Sequence, residues 1–115
     1  MYNNQKLYLR EIKVKESYTP IIYEGDTCEI LKAPQFTNHS ISLTFLDPPF
    51  NQNKSYGNHD DQMDPGKYWD WMTEVCQLIY NHTRLGGSIF FMHREKNTEY
   101  VARALRKSGF RIIQG

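Results

Sequence analysis

The sequence predicts an α/β fold with a mostly parallel sheet flanked by helices. Two short apolar runs, Ile41–Leu46 and Ser88–His93, have the β-branched and aromatic content of buried strands. The second run is apolar on both faces, which is typical of a central parallel strand covered by helices on each side. Between the two runs, Lys67–His82 repeats apolar residues at helical spacing, as an amphipathic helix does.

Shorter elements precede the first strand. The segment Pro20–Asp26 predicts a short strand, and Thr27–Lys32 predicts a short helix that Pro34 stops. Residues 1–20 mix basic and apolar side chains without one period, which favours a loosely attached terminus over an added strand or a basic arm. We therefore expect a lead-in over residues 1–20 and one α/β segment over residues 21–115.

Turn and helix signals predict the elements after the first strand. Asn51–Gly66 is polar and predicts a long loop, and Arg84–Gly87 supplies a stop and a turn after the long helix. A second helix follows over residues 98–107, and Phe110–Ile113 begins one more strand. The helix residues that we expect in the core are Tyr68, Met72, Val75, Ile79, Val101, Ala104 and Leu105.

The first strand ends at a rigid corner. Neither Pro48 nor Pro49 can donate an amide to a sheet ladder, so strand pairing must end at Asp47. The carboxylate then lies at the carboxyl edge of the sheet, which is where open α/β sheets bind their ligands. The two prolines hold the Asp47 side chain, the Pro48 carbonyl and the Phe50 ring in a nearly fixed relation.

This corner suits chemistry at an exocyclic amine of a nucleobase. Such an amine is a poor nucleophile because its lone pair is delocalised into the ring, and acceptors such as Asp47 and the Pro48 carbonyl would return electron density to the nitrogen. Phe50 would stack on the base, a contact worth about 1–3 kcal/mol. The alternative is a strand-ending turn in which Asp47 bonds its own downstream backbone and Phe50 packs in the core. The tetrapeptide alone leaves both interpretations open.

The segment Leu46–Asn51, Leu-Asp-Pro-Pro-Phe-Asn, resembles the catalytic motif of the amino-methyltransferases, which use S-adenosylmethionine to methylate adenine N6 or cytosine N4. The segments Tyr68–Trp71 and Leu85–Phe90 resemble the helix and the Gly-Gly strand that follow that motif, so the likeness covers most of residues 21–113. The likeness is to DNA methyltransferases, such as those of restriction–modification systems, in which the catalytic motif precedes a Gly-rich cofactor loop. The resemblance implies a partial Rossmann-like methyltransferase fold, incomplete at the C-terminus.

The resemblance also implies catalytic roles within the motif, which is formed by Asp47, Pro48, Pro49 and Phe50. The carboxylate of Asp47 and the carbonyl of Pro48 would accept from the amine of a flipped base, and Phe50 would stack on that base. Aspartate before the two prolines favours adenine N6 over cytosine N4. The expected reaction is direct methyl transfer to DNA without a covalent enzyme intermediate.

A second candidate site residue is Asp26, which precedes the short helix. The run Gly25-Asp26-Thr27 resembles the Gly-Asp element of these methyltransferases, whose acid lies near the adenine of the cofactor. The resemblance thus assigns Asp26, together with Asp47, to cofactor binding. Asp26 and Glu29 also form an Asp-x-x-Glu capping box, which by itself explains an acid at this position.

A Gly-rich cofactor loop is missing from the sequence. The chain has 7 glycines, and no two of them make Gly-x-Gly. We therefore expect the amino-terminal half of a methyltransferase: a fragment, a truncated gene product, or one subunit of a split enzyme whose second chain supplies the loop. An open sheet edge would also favour self-association. A different class of function is also open, that of a non-catalytic, degenerate α/β module that binds DNA or a partner protein.

Composition limits the other possibilities. The net charge of +1, from 14 basic and 13 acidic residues, argues against a globally basic surface, so DNA contacts would come from a local patch. Residues 94–111 are the one candidate patch, and a merely solvated helix face is the alternative. Cys28 and Cys76 are expected as reduced, core-facing thiols, and neither they nor the histidines have metal-ligand spacing. No run is apolar enough for a membrane span, so we expect no metal, no membrane and a cytoplasmic location.

Overall fold

The computed structural model describes residues 8–9, 20–36, 40–51, 55–56, 59–60 and 63–113. The chain forms two compact units, residues 1–36 and 37–115. This division falls later in the chain than the expected end of the lead-in at residue 20, and that boundary stays a prediction. Within the described part, no helix combines the length and the apolar content that crossing a bilayer requires.

The first unit contains two short strands and a short helix. Strand β1, Tyr8–Leu9, pairs antiparallel with strand β2, Ile21–Ile22, so the added-strand alternative for the lead-in is found at these residues. Helix α1 is Thr27–Lys32, with the predicted bounds, and a 3-10 turn at Pro34–Phe36 follows it. Cys28 is buried in this unit, as expected.

The second unit is built on a parallel pair of strands. Strand β3 is Ile41–Leu46 and ends at the predicted residue, directly before Asp47. It pairs in parallel with Thr83–Phe91, placing Leu46 opposite Phe91. The other elements of the unit, in chain order, are strand β4 (Ser55–Tyr56), strand β5 (His59–Asp60), helix α2 (Pro65–His82), the parallel partner strand β6 (Thr83–Phe91), a 3-10 turn (Glu95–Asn97) and helix α3 (Thr98–Ser108).

The polar loop that was predicted over Asn51–Gly66 is shorter than expected and contains structure. Strands β4 and β5 pair antiparallel in it, with Ser55 opposite Asp60. Helix α2 begins at Pro65 rather than Lys67 because the side chain of Asp64 caps it by accepting from the amide of Lys67 at 3.2 Å.

The predicted turn at Arg84–Gly87 is a bulge inside β6. The register moves from Ile41 opposite Thr83 to Leu43 opposite Ser88, so the extra residues of β6 bulge out of the ladder. Gly86 has a φ of 83° here. A Cβ atom on Gly87 would lie 2.9 Å from the carbonyl oxygen of Ile41, so only glycine lets the two strands approach this closely.

The core lies between α2, α3 and one face of the sheet. The predicted stripe of α2 is buried: Tyr68, Met72, Val75 and Ile79 have exposures of 3%, 1%, 2% and 4%. Cys76, beside that stripe, is fully buried, in agreement with the expectation of a core thiol. The expected inward residues of α3, Val101, Ala104 and Leu105, are buried as well.

The second face of the sheet is exposed in the described part of the chain, which corrects the expectation of a strand covered on both sides. Phe91 of β6 is buried, but its neighbour Phe90 is 51% exposed. On β3, Leu43 is 51% and Phe45 is 66% exposed. The rings of Phe45 and Phe90 lie side by side, with their centroids 5.2 Å apart. Successive residues of a strand point to opposite faces, so one face is packed and one is bare.

The prediction of a further strand at Phe110–Ile113 is also wrong. Residues Phe110–Ile113 have no regular structure, although Gly109 ends α3 as expected, with a φ of 116°. A strand requires a neighbour for its backbone groups, and no described strand pairs with this segment.

Candidate active site

Asp47 lies where the sequence placed it, at the carboxyl edge of the parallel pair. The ladder continues to this edge, since the amide of Met92 donates to the carbonyl of Leu46 at 2.8 Å. Asp47 follows directly and is exposed, while Pro48, Pro49 and Phe50 are half-buried. The corner therefore presents a solvent-accessible carboxylate beside a partly covered aromatic ring.

The two proline carbonyls at the corner differ in their partners. The hydroxyl of Tyr68, in the first turn of α2, donates to the carbonyl of Pro49. Among the described residues, no donor is bound to the carbonyl of Pro48 or to the carboxylate of Asp47. Two acceptors are thus available at the sheet edge while the residue behind them is fixed to a helix.

Sequence reasoning placed Tyr68 in the core but missed this hydrogen bond. A buried tyrosine hydroxyl almost always has a polar partner. Tyr68 is in the expected core stripe of α2, and Pro49 lies 19 residues earlier, beyond the end of β3, where its carbonyl has no partner in the ladder. The sequence therefore indicates a donor and an acceptor that both need partners, but it does not indicate that they bond to each other.

Asn51 closes the base of the loop that follows the corner. Its Nδ2 donates to the carbonyl of Met63 at 2.9 Å, and its Oδ1 accepts from the amide of Met63 at 2.8 Å. Asn51 has a φ of 61°, in the left-handed region that asparagine tolerates better than most residues. These two bonds fix the direction in which the chain leaves Phe50.

Asp26 is a helix cap in the structure. Its carboxylate accepts from the amides of Cys28 at 2.8 Å and Glu29 at 3.2 Å, which confirms the capping interpretation. Asp26 belongs to the first compact unit and Asp47 to the second. Its assignment to cofactor binding stays a prediction.

The described glycines do not form a cradle for a cofactor. Gly87 accommodates the neighbouring strand, and a Cβ atom on Gly109 would lie 2.7 Å from the ring of Tyr80. Gly86 is in the bulge of β6, with no atom within 4 Å of the position of a Cβ. These glycines therefore form no Gly-rich cradle, and the binding of S-adenosylmethionine stays a prediction.

Comparison with known protein families identifies the chain. The family model described as DNA methylase matches residues 41–114, which run from the start of β3 past the end of α3. The chain belongs to the DNA methylase family. The matched segment contains the whole corner, both described parallel strands and the two long helices. The partial Rossmann-like α/β fold that the family implies agrees with this arrangement.

Curated relatives of this chain include two type II methyltransferases and a DNA adenine methyltransferase. The type II methyltransferase M.BamHI of Bacillus amyloliquefaciens is 32% identical over 92 residues, covering 78% of this chain and 21% of the relative. M.HpaI of Haemophilus parainfluenzae is 30% identical, covering 60% of this chain and 22% of the relative. The DNA adenine methyltransferase YhdJ of Escherichia coli is 26% identical, covering 76% and 29%. The chain thus spans less than a third of each relative, and no solved structure matches it significantly.

Proposed function

We propose that the Asp47–Phe50 corner methylates an exocyclic amine of a flipped DNA base, with S-adenosylmethionine as the methyl donor. The observation behind this proposal is the pair of acceptors at the sheet edge. The exposed Asp47 carboxylate and the Pro48 carbonyl have no donor among the described residues, whereas the Pro49 carbonyl is bound by Tyr68. Methyltransferases of this family generally use S-adenosylmethionine, which supports the choice of donor.

The corner would act by orienting and activating the amine. The Asp47 carboxylate and the Pro48 carbonyl accept one hydrogen bond each from the two N–H groups, which localises the lone pair on nitrogen. Phe50 stacks on the base and fixes its plane. S-adenosylmethionine, when bound, would supply the methyl group: the nitrogen–carbon bond would form as the sulfur–carbon bond broke, S-adenosylhomocysteine would leave, and the amine would release one proton to solvent. The residues of the corner would contribute to the rate by positioning the amine.

Adenine N6 is the proposed target, with cytosine N4 as the alternative. The support is the aspartate that precedes the two prolines, together with the similarity to a protein named as a DNA adenine methyltransferase. Extrusion of the base is part of the proposal because an amine paired within a duplex cannot reach Asp47.

Activity would require a further polypeptide segment that contains the Gly-rich loop, in the same protein or in a second chain. The residues of this chain offer the cofactor few convergent contacts, so we expect the 115-residue chain to bind S-adenosylmethionine more weakly than about 1 mM. Isothermal titration calorimetry measures this. Stoichiometric micromolar binding by the chain alone would show that it already contains the main cofactor site.

The test of the catalytic assignment is methyl transfer to DNA by the assembly that contains this chain and the loop. Asp47→Asn keeps the shape of the side chain and removes its charge, and we expect kcat to fall by at least about 100-fold. Phe50→Ala should weaken DNA binding by about 1–3 kcal/mol and leave residual activity. Asp70→Asn, an exposed carboxylate on α2, is the matched control and should leave kcat unchanged.

The outcomes separate the enzyme from a non-catalytic module. If Asp47→Asn keeps most of the rate while the assembly methylates DNA, the charge of Asp47 is not needed, since the asparagine Oδ1 still accepts a hydrogen bond. If Asp47→Ala also keeps most of the rate, the acceptor role of Asp47 is wrong. If no assembly containing the chain transfers methyl groups, the alternative of a degenerate α/β module that binds DNA or a partner protein gains support.

A further inference from the structure

A row of aromatic rings connects the corner with the surface of α3. The Tyr68 hydroxyl binds the Pro49 carbonyl, and the Tyr68 ring lies edge-on to Trp69 with centroids 5.0 Å apart. Trp69 in turn stacks on Tyr100 of α3, at 5.4 Å and an interplanar angle of 17°. The guanidinium of Arg103 lies 5.8 Å from the centroid of the Tyr100 ring.

The exposed side of α3 continues this row with positive charge. Tyr100, Arg103 and Lys107 are spaced i, i+3 and i+7, which places them on one face of the helix, and Lys96 precedes Tyr100 by four residues. All four are exposed, Tyr100 at 48%. We call Lys96, Tyr100, Arg103 and Lys107, together with Trp69, the aromatic-basic face.

Charge is concentrated in this part of the chain. Residues 94–111 include six of the 14 basic residues and two of the 13 acidic ones, in a chain whose net charge is only +1. A local basic surface of this kind attracts a polyanion even when the whole protein is nearly neutral. Within α3, the length from Tyr100 to Lys107 is about 10 Å at the helical rise, enough for neighbouring phosphates along one strand.

We propose that the aromatic-basic face binds the DNA backbone that flanks the flipped base. This inference rests on the proposed function, because it takes DNA as the substrate of the Asp47 corner. Helices α2 and α3 both begin at the carboxyl edge of the sheet, so Trp69 and Tyr100 lie on the same side of the unit as Asp47. Arg103 and Lys107 would neutralise phosphates, while the stack of Trp69 and Tyr100 holds Arg103 in place.

Glu99 opposes this binding in the free protein. Its Oε2 lies 3.2 Å from Nη2 of Arg103, with the two side chains 82% and 61% exposed. An exposed pair of this kind contributes little to stability, so a phosphate can displace the carboxylate. Removing the charge of Glu99 should therefore strengthen DNA binding, whereas a purely structural ion pair predicts no such gain.

The experiment is fluorescence anisotropy of a labelled 20-nucleotide DNA, single-stranded and duplex, with the 115-residue chain. At about 0.15 M salt, each phosphate contact raises the affinity for DNA about fivefold. Arg103→Ala and Lys107→Ala should therefore each weaken DNA binding by about that factor. Each should also reduce the slope of log K against log salt concentration by about 1. Glu99→Gln should tighten binding.

Arg111→Ala is the charge-matched control. Arg111 follows Gly109 beyond the end of α3, outside the aromatic-basic face, and lines a cleft together with Thr83 and Arg84. Its removal should therefore change affinity much less than the removal of Arg103. Equal losses from Arg103→Ala and Arg111→Ala would show diffuse electrostatics and overturn the proposal. Weaker binding by Glu99→Gln would also overturn it, because the ion pair would then be a structural element.

Two further measurements distinguish the possible failures. Polyglutamate that displaces DNA at equal charge concentration would show a surface for any polyanion, acidic proteins included, and would overturn the assignment to DNA. The second measurement is methyl transfer by Asp47→Asn in the assembly that contains the loop, which tests the proposed function separately from DNA binding by α3. If Arg103→Ala binds normally while Asp47→Asn abolishes methylation, this inference fails alone. If Arg103→Ala weakens binding while Asp47→Asn and Asp47→Ala both methylate normally, the proposed function fails and the DNA surface stands.

Discussion

The hydrogen bond between Tyr68 and Pro49 can be removed with little other change. Tyr68→Phe deletes the hydroxyl and keeps the ring, whose centroid lies 5.0 Å from that of Trp69 and 5.9 Å from that of Trp71. The packing of the first turn of α2 should therefore be retained. What is lost is the one described tie between the corner and this helix.

The expected cost follows from the burial of the two partners. A net hydrogen bond is worth about 0.5–1.5 kcal/mol, and an acceptor left buried without a partner costs about 1–3 kcal/mol. Tyr68 is 3% exposed, but Pro49 is half-buried, so water can reach its carbonyl in the variant. We expect a loss of about 1 kcal/mol in the free energy of unfolding, and for a chain of 115 residues a fall in Tm of about 4 °C.

Thermal and denaturant unfolding of the purified chain measure this loss. Tyr80→Phe is the matched control: Tyr80 is on the same helix, is 41% exposed, and its hydroxyl has no partner among the described residues. That variant should stay within about 0.5 kcal/mol of the wild type. Equal stabilities for the two variants would show that the hydrogen bond from Tyr68 to Pro49 does not stabilise the fold. In a methylating assembly, Tyr68→Phe should lower kcat by about tenfold with KM little changed, because the acceptors are less well positioned.

Three other changes test separate parts of the fold. Asn51→Ala loses both hydrogen bonds to Met63 and strains a backbone with a φ of 61°, whereas Asn51→Gly loses only the hydrogen bonds. Urea unfolding should therefore show the alanine variant to be about 1 kcal/mol less stable than the glycine variant. Burial raises the pKa of the Cys76 thiol from its ordinary 9.0 to about 12. The folded state then keeps a proton that the unfolded state loses, and stability relative to Cys76→Ala should fall by about 1.4 kcal/mol per pH unit between pH 9 and 12. Gly109→Ala should lower Tm more than Gly86→Ala, since both have positive φ but only the Cβ at 109 would meet a neighbouring ring.

The elements that the sequence predicted well are those set by local signals. Proline ends strand β3 at Leu46, Asp26 starts α1, and glycine at 109 ends α3. The core stripe of α2 follows from a 3.6-residue period, and each of its expected members is buried. Each signal involves residues within a few positions of one another, so no knowledge of the tertiary structure was needed.

The features that the sequence did not predict depend on contacts between distant residues. The bond from Tyr68 to Pro49 joins residues 19 positions apart, and the register shift in β6 depends on the strand beside it. The exposed sheet face with Phe45 and Phe90 has the apolar composition that is typical of a face covered by helices. An apolar run does not show whether such a covering helix is present. The role of Asp26 at the cofactor stays a prediction.

Three contacts among the described residues hold the corner, each from a different part of the second unit. The parallel ladder fixes Leu46 through the amide of Met92, Tyr68 fixes the Pro49 carbonyl from α2, and Asn51 fixes the exit through Met63. All three lie within residues 46–92, so the geometry of the acceptors is determined by the segment that matches the DNA methylase family. Under the proposed function, a cofactor loop and a DNA-recognition region could vary, or belong to another polypeptide, without moving the Asp47 carboxylate relative to the Pro48 carbonyl. A split of the enzyme after this segment would separate the methyl donor from the acceptors while leaving the acceptors organised.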